Sequence, residues 1–180
     1  MAAALRRATE RMSAMDANRP MSRRALLTGG AAGGPMLRPP WAHEAAEFAS
    51  RCTGCDACIR ACPEGVLSPD PDGRPRFDPQ AGECTFCGDC VRACQPAALD
   101  FAAPTRWPWR ARVEPGCLPA HGVVCASCRD VCPEAAIRVP PGGRGAASID
   151  PLRCTGCSAC VGVCPAGAIA LERAPLEEAA

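Results

Sequence analysis

Cys52, Cys55, Cys58 and Cys62 stand at intervals of three, three and four residues, and Pro63 follows. The spacing returns at Cys84, Cys87, Cys90 and Cys94, and again at Cys154, Cys157, Cys160 and Cys164. A further set, Cys117, Cys125, Cys128 and Cys132, differs only in its first gap, which holds seven residues instead of two. All 16 cysteines of the 180-residue chain fall in these four sets. Three thiolates two residues apart on a tight loop can wrap an inorganic [4Fe–4S] cubane corner by corner. A short helical turn carries the fourth Cys of each run away, so the fourth ligand must arrive from another run. Zinc sites favour two close pairs, often with His. Here triplets recur, and the only histidines, His43 and His121, lie outside them. A disulfide framework would require an oxidising compartment.

The run is that of bacterial two-cluster ferredoxins, and internal symmetry supplies a pairing. Cys62 to Cys94 and Cys132 to Cys164 each span 32 residues, while Cys62 to Cys132 and Cys94 to Cys164 each span 70. The chain therefore reads as a duplicated two-motif module. One cluster takes Cys52, Cys55, Cys58 and Cys94, and a second takes Cys84, Cys87, Cys90 and Cys62. A third takes Cys117, Cys125, Cys128 and Cys164, and a fourth takes Cys154, Cys157, Cys160 and Cys132. Pairing outer motifs with outer and inner with inner is a rival arrangement, disfavoured only by the repeat arithmetic. Residues 118–122 are extra relative to the other motifs. They either bulge harmlessly or leave Cys117 spare, so three or four [4Fe–4S] clusters are expected.

The expected fold is small, α+β and cofactor-stapled: two tandem 2[4Fe–4S] ferredoxin-like modules with short helices and hairpins. Aromatic residues are 4% of the chain, while Pro and Gly number 20 and 17. A conventional core is therefore thin, and small folds of this kind rely on metal or covalent staples. A Pro/Gly-rich loop followed by Phe77-Asp78-Pro79 or Ile149-Asp150-Pro151 reads as a hairpin strand leading into the next cluster loop. Leu67, Leu99, Ile137 and Ile169, five residues after each fourth Cys, read as packing over the cubanes. Backbone amides of Thr53-Gly54 and Thr155-Gly156 are placed to hydrogen-bond cluster sulfur.

The formal charge of +1 disfavours a nucleic-acid partner. No apolar run is long enough for a transmembrane helix. Each loaded cubane with four thiolates carries about −2, so four would bring the chain to about −7. No nucleophile–base pair, dinucleotide fingerprint or phosphate loop is present, and no enzymatic activity is expected.

Residues 1–20 read as a disordered extension or a mis-assigned start, because Met21 opens a plausible shorter chain. Residues 21–47 read as an N-terminal arm, 48–103 as the first module, 104–116 as a Trp/Arg/Pro linker, 117–173 as the second module and 174–180 as a tail. Ser22-Arg23-Arg24-Ala25-Leu26-Leu27 looks like a twin-arginine export signal. The Gly-rich stretch from Thr28 to Gly34 and Arg38-Pro39-Pro40 leave it no apolar core, so a reducing cytoplasm is the expected setting. Arg23, Arg24, Arg38 and Trp41 are candidate partner-docking residues. Trp107 and Trp109 are expected to fill the groove between the halves while Arg106, Arg110 and Arg112 face solvent. His43 and His121 are read as surface residues.

The segment Met21 to Gly29, Arg38-Pro39-Pro40-Trp41, the loop Cys52-Thr53-Gly54-Cys55-Asp56-Ala57-Cys58 and the long-gap third motif resemble the NapF family. These are ferredoxin-type proteins encoded with periplasmic nitrate reductases. The likeness runs from about Met21 to about Leu171, and Gln95 directly after Cys94 departs from the usual motif. The resemblance implies a cytoplasmic accessory protein that binds the catalytic molybdenum subunit before export and assists its maturation, Fe–S loading included. The alternative is an electron-transfer ferredoxin or an electron-transfer subunit of an oxidoreductase complex.

Overall fold

The computed structural model describes residues 36–103 and 107–174. In the first half, helix α1 (Ala45–Arg51) leads to the one-turn helix α2 (Ala57–Arg60). A hairpin of β1 (Leu67–Pro69) and β2 (Pro75–Phe77) follows, then helix α3 (Asp89–Arg92). In the second half, β3 (Trp109–Val113) precedes a 3-10 turn over Leu118–His121 and helix α4 (Ser127–Asp130). The hairpin β4 (Ile137–Arg138) and β5 (Ser148–Ile149), helix α5 (Ala159–Gly162) and β6 (Ile169–Arg173) complete it. Helices of four residues cannot hold themselves in water, since nucleating a turn costs more than one turn returns. Packing must hold them: α2 lies on α3, and α4 on α5.

The two halves repeat one plan. Each central hairpin is antiparallel, with Leu67 opposite Phe77 in the first and Ile137 opposite Ile149 in the second. Asp78 and Asp150 then turn the chain into the next cysteine loop. Their Oδ1 atoms accept the amides of Gln80 and Leu152, both at 3.0 Å. After each fourth cysteine the chain turns over the cysteine's own carbonyl. That carbonyl accepts the amide three residues on, from Gly65, Ala97, Ala135 or Gly167. All four donors have positive φ. The turn at Cys94 closes like the others although Gln95 displaces the proline by one position. Leu67, Leu99, Ile137 and Ile169 are all buried.

The halves differ at their outer edges. β3 pairs with β6 over five residues, from Trp109 opposite Arg173 to Val113 opposite Ile169. In the first half the corresponding contact is a single bridge between Ala42 and Leu99. Residues 109–113, expected within a linker, are thus a strand of the second module. The reason is non-local: their ladder partner lies far along the chain.

Trp107 fills the seam between the halves. Its ring meets Phe77 edge-on with centroids 5.2 Å apart, and Nε1 donates to the Gly156 carbonyl at 3.2 Å. Arg110 turns inward, donating to the carbonyls of Pro151, Trp107 and Trp109. Arg112 remains exposed and pairs with Glu114 and Glu172. Arg106 lies outside the described residues. Trp107→Ala removes one aromatic contact and one hydrogen bond, an expected loss of about 2 kcal/mol. Denaturant titration of the loaded protein measures it.

Arg38 and Trp41 are also engaged internally. Arg38 Nη1 donates to Asp70 Oδ2 at 2.8 Å and to the Pro75 carbonyl at 3.1 Å, and its guanidinium stands over the Phe48 ring. Trp41 packs edge-on against Phe101 and Phe86. Arg23 and Arg24 lie outside the described residues. His43 is buried, a correction to its expected surface position, with Nδ1 3.3 Å from Glu47 Oε2. His121 is exposed and its Nε2 lies 2.9 Å from the Pro115 carbonyl.

Asp70 anchors the β1–β2 turn. Burial acts to raise its pKa, but the amides of Arg74 and Asp72 and the Arg38 guanidinium outweigh that and hold it below the ordinary carboxylate value. Because the folded pKa is depressed, the stabilisation is complete above the unfolded value and is lost as pH falls through the folded one. Asp70→Asn is expected to cost about 2 kcal/mol at pH 7. The gap in denaturant midpoint between wild type and variant closes only below about pH 4.

Candidate metal centres

The cysteines converge on four separate cavities, four to each. Cys52, Cys55, Cys58 and Cys94 line the first, with Phe48 and Leu99 in its wall. Cys62, Cys84, Cys87 and Cys90 line the second, with Val66 and Leu67. Cys117, Cys125, Cys128 and Cys164 line the third, with Val113 and Ile169. Cys132, Cys154, Cys157 and Cys160 line the fourth, with Ala111 and Ile137. These groups coincide with the repeat arithmetic and differ from an outer-to-outer pairing. Each takes three cysteines from one loop and the fourth from the other motif of its own half.

Local backbone geometry explains the convergence. Between the first and second cysteines of the regular motifs, Gly54, Phe86 and Gly156 take positive φ. Between the second and third, Asp56, Gly88 and Ser158 do the same. The loop thereby coils tightly enough to present three sulfurs to one space. In the long-gap motif, Ala126 instead has φ −141°. Its first cysteine is held differently. The extra residues fold as the 3-10 turn over Leu118–His121, and the Pro119 carbonyl accepts the Gly145 amide at 3.1 Å. Cys117 is buried and stays at its cavity.

Backbone amides point at sulfur. Cys94, Cys132 and Cys164 Sγ accept from Leu99, Ala136 and Ala168 at 3.4, 3.4 and 3.2 Å. Cys154 Sγ accepts from Ala111 of β3 at 3.4 Å. That last donor was not legible from sequence, because it comes from a segment read as a linker. In the Thr53-Gly54 and Thr155-Gly156 loops, Thr53 and Thr155 contribute side-chain hydrogen bonds to Cys55 and Cys157.

Electrostatics fit the same ligand class. Burial, reinforced by neighbouring thiols, pushes Cys58 up to about 11 and Cys160 up to about 12. Burial likewise takes Cys84 to about 11 and Cys90 to about 12. Exposed Cys55 moves the other way, lowered chiefly by the Ala57 amide. Four crowded sulfurs in an apolar wall deprotonate together only beside compensating positive charge, which an iron core supplies. Among the described residues, no group of three or more His, Cys, Asp or Glu closes around a single-ion position. Four thiols per cavity, three from one loop and one from another motif, fit a [4Fe–4S] cluster.

Family models of the 4Fe–4S dicluster domain match residues 51–99 and 123–168. With the fold and the four thiol-lined cavities, this defines an iron–sulfur protein of the tandem dicluster ferredoxin type, carrying three or four [4Fe–4S] clusters. Among known proteins, ferredoxin-type protein NapF of Escherichia coli K12 is 37% identical over 120 residues, 64% of this chain and 71% of that protein. Ferredoxin-type protein NapF of Haemophilus influenzae is 39% identical over 102 residues, 57% of this chain and 58% of that protein. The chain belongs to the ferredoxin-type NapF family. Among the described residues, no helix is long and apolar enough to cross a membrane.

Proposed function

We propose that this chain is a cytoplasmic accessory protein that binds the catalytic molybdenum subunit of a periplasmic nitrate reductase before export and assists its maturation, including its Fe–S loading. Membership in the NapF family carries this reading. The ligands we assign are the four tetrads: Cys52, Cys55, Cys58 and Cys94; Cys62, Cys84, Cys87 and Cys90; Cys117, Cys125, Cys128 and Cys164; and Cys132, Cys154, Cys157 and Cys160. Bound there, a [4Fe–4S] cluster supplies one-electron chemistry. The chain's own contribution is to orient the thiolates, line the cavities with apolar side chains and direct amides at sulfur, which together tune reduction potential. The exposed Cys55 and Cys87 leave the first two tetrads open to a docked protein.

Co-purification tests the reading. The unexported precursor of the catalytic subunit should retain this protein, and a deletion strain should show reduced nitrate reductase activity. No association together with normal activity contradicts it. A second reading, electron carriage to a mature partner, is favoured by the contiguity of the tetrads. A carrier reduces mature partner in vitro and loses that ability with its clusters, whereas a maturation factor matters only before export.

A further inference from the structure

The tetrads are neighbours in three steps. Within the first half, Cys58 on α2 and Cys90 on α3 face each other across the packed helices, close enough for their charges to interact. Within the second half, Cys128 on α4 and Cys160 on α5 repeat the arrangement. The remaining step crosses the seam. The Cys84 amide of the second tetrad donates to the Cys157 carbonyl of the fourth at 2.8 Å. Beside it, Ser158 is 2% exposed and its Oγ donates to the Gly82 carbonyl at 2.6 Å. Gly162 lies so close to the same loop that a Cβ there would stand 3.3 Å from the Gln80 carbonyl oxygen.

We propose that this seam is an electron bridge, and that the four tetrads form one continuous path in the order first, second, fourth, third. The inference rests on the reading that each tetrad holds a cubane. The Cys84 sulfur stands three bonds from one end of the shared hydrogen bond (Sγ, Cβ, Cα, amide N), and the Cys157 sulfur four bonds from the other (Sγ, Cβ, Cα, carbonyl C, O). Tunnelling through bonds and a short hydrogen bond decays less steeply than through a gap. In each hop one reduced cluster loses an electron, the next gains it, and no bond breaks and no proton moves. A low-potential one-electron donor, such as a reduced viologen, supplies the electron at an end tetrad. The path order differs from chain order, because the third motif is the far end and the fourth is the junction. Cys55 is exposed at one terminus, and Val123 and Val124 are exposed beside Cys125 at the other.

The test is low-temperature EPR of the fully reduced, anaerobically loaded chain, with iron counted in every sample. Cys55→Ala with Cys125→Ala damages both end tetrads and leaves the second and fourth whole. These two clusters should broaden one another's signals. Cys87→Ala with Cys160→Ala leaves the first and third whole and should give two narrow, independent signals. Narrow signals from a chain whose second and fourth tetrads are loaded overturn the bridge. Iron below one cubane per chain in both variants and in wild type overturns the tetrad reading itself, and the bridge with it. Should only the double variants fail to hold iron, Gly162→Trp decides. At this exposed helical position the added Cβ presses on the Gln80 carbonyl, which must give way by a few tenths of an ångström. Wild-type iron content with reduced broadening supports the bridge, and an unchanged spectrum overturns it.

Discussion

Stripping iron and sulfide from this protein is expected to abolish its cooperative thermal unfolding. The apolar interior is thin: the largest wholly buried side chains are Phe48, Leu99, Val66, Pro39 and Ser158. Leu67, Leu99, Ile137 and Ile169 cover the thiol-lined cavities and thereby join the core to the cofactor sites. The helices that carry Cys58, Cys90, Cys128 and Cys160 are one turn long and do not persist without a packed neighbour. Where a site forms only in the folded chain, binding free energy is folding free energy. Calorimetry of loaded protein should therefore show a cooperative transition. Protein treated with chelator under reducing conditions should show none and should lose near-UV circular dichroism. An iron-free chain that melts as sharply as the loaded one would show that the polypeptide holds this fold by itself.

Gly156→Val should be the most damaging single change outside the cysteines. Gly156 has φ +75°, and a Cβ there would lie 2.7 Å from Trp107 Nε1 and 3.0 Å from the Trp109 carbonyl carbon, with the Trp109 oxygen nearer still. The backbone of β3 passes directly over this loop. It cannot withdraw without breaking both its ladder with β6 and the Ala111 amide bond to Cys154 Sγ. Left-handed strain and a backbone collision together should cost more than about 4 kcal/mol. Iron content should fall by about four atoms per chain, one cubane. Gly65→Ala is the contrasting change. Its φ of +64° is similar, but nothing lies within 4 Å of the added carbon. It should cost only about 1 kcal/mol and retain all the iron. Iron analysis and denaturant titration of the two variants separate collision from strain. Equal effects would show that β3 does not press on the loop.

The cofactor was the most legible feature of the sequence, because its ligands come from short loops whose spacing is itself the geometry. The aliphatic residue five positions after each fourth cysteine was legible for a related reason. One tight turn separates it from a ligand, so its burial follows from the cysteine's. Contacts made across long stretches of chain were not legible. β3 begins directly after Pro108 and mixes Trp and Arg, a composition equally suited to an exposed linker. Only its pairing with β6 makes it a strand, since strand formation depends on partners more than on intrinsic preference. The internal contacts of Arg38 and Trp41 were illegible for the same reason. Both types anchor interfaces, yet Asp70, Phe48, Phe86 and Phe101 give them internal partners that no local pattern reveals. His43 is drawn inside because its amide bonds the Ala98 carbonyl next to the Ala42–Leu99 bridge.

The duplication has a physical consequence as well. Each half closes its edge with the segment that precedes it, by a single bridge in the first and a five-residue ladder in the second. Trp109 at the start of that second ladder, and Trp107 just before it, lie against the Gly156 loop of the fourth tetrad. Trp107, at the entry to β3, thus touches both halves.

The most direct measurement is metal and sulfide analysis of oxygen-free, full-length protein together with low-temperature EPR after reduction. The four tetrads predict about sixteen irons with equal acid-labile sulfide per chain, and signals of reduced [4Fe–4S] centres. Colourless protein, stoichiometric zinc or cysteines joined as disulfides would contradict the account.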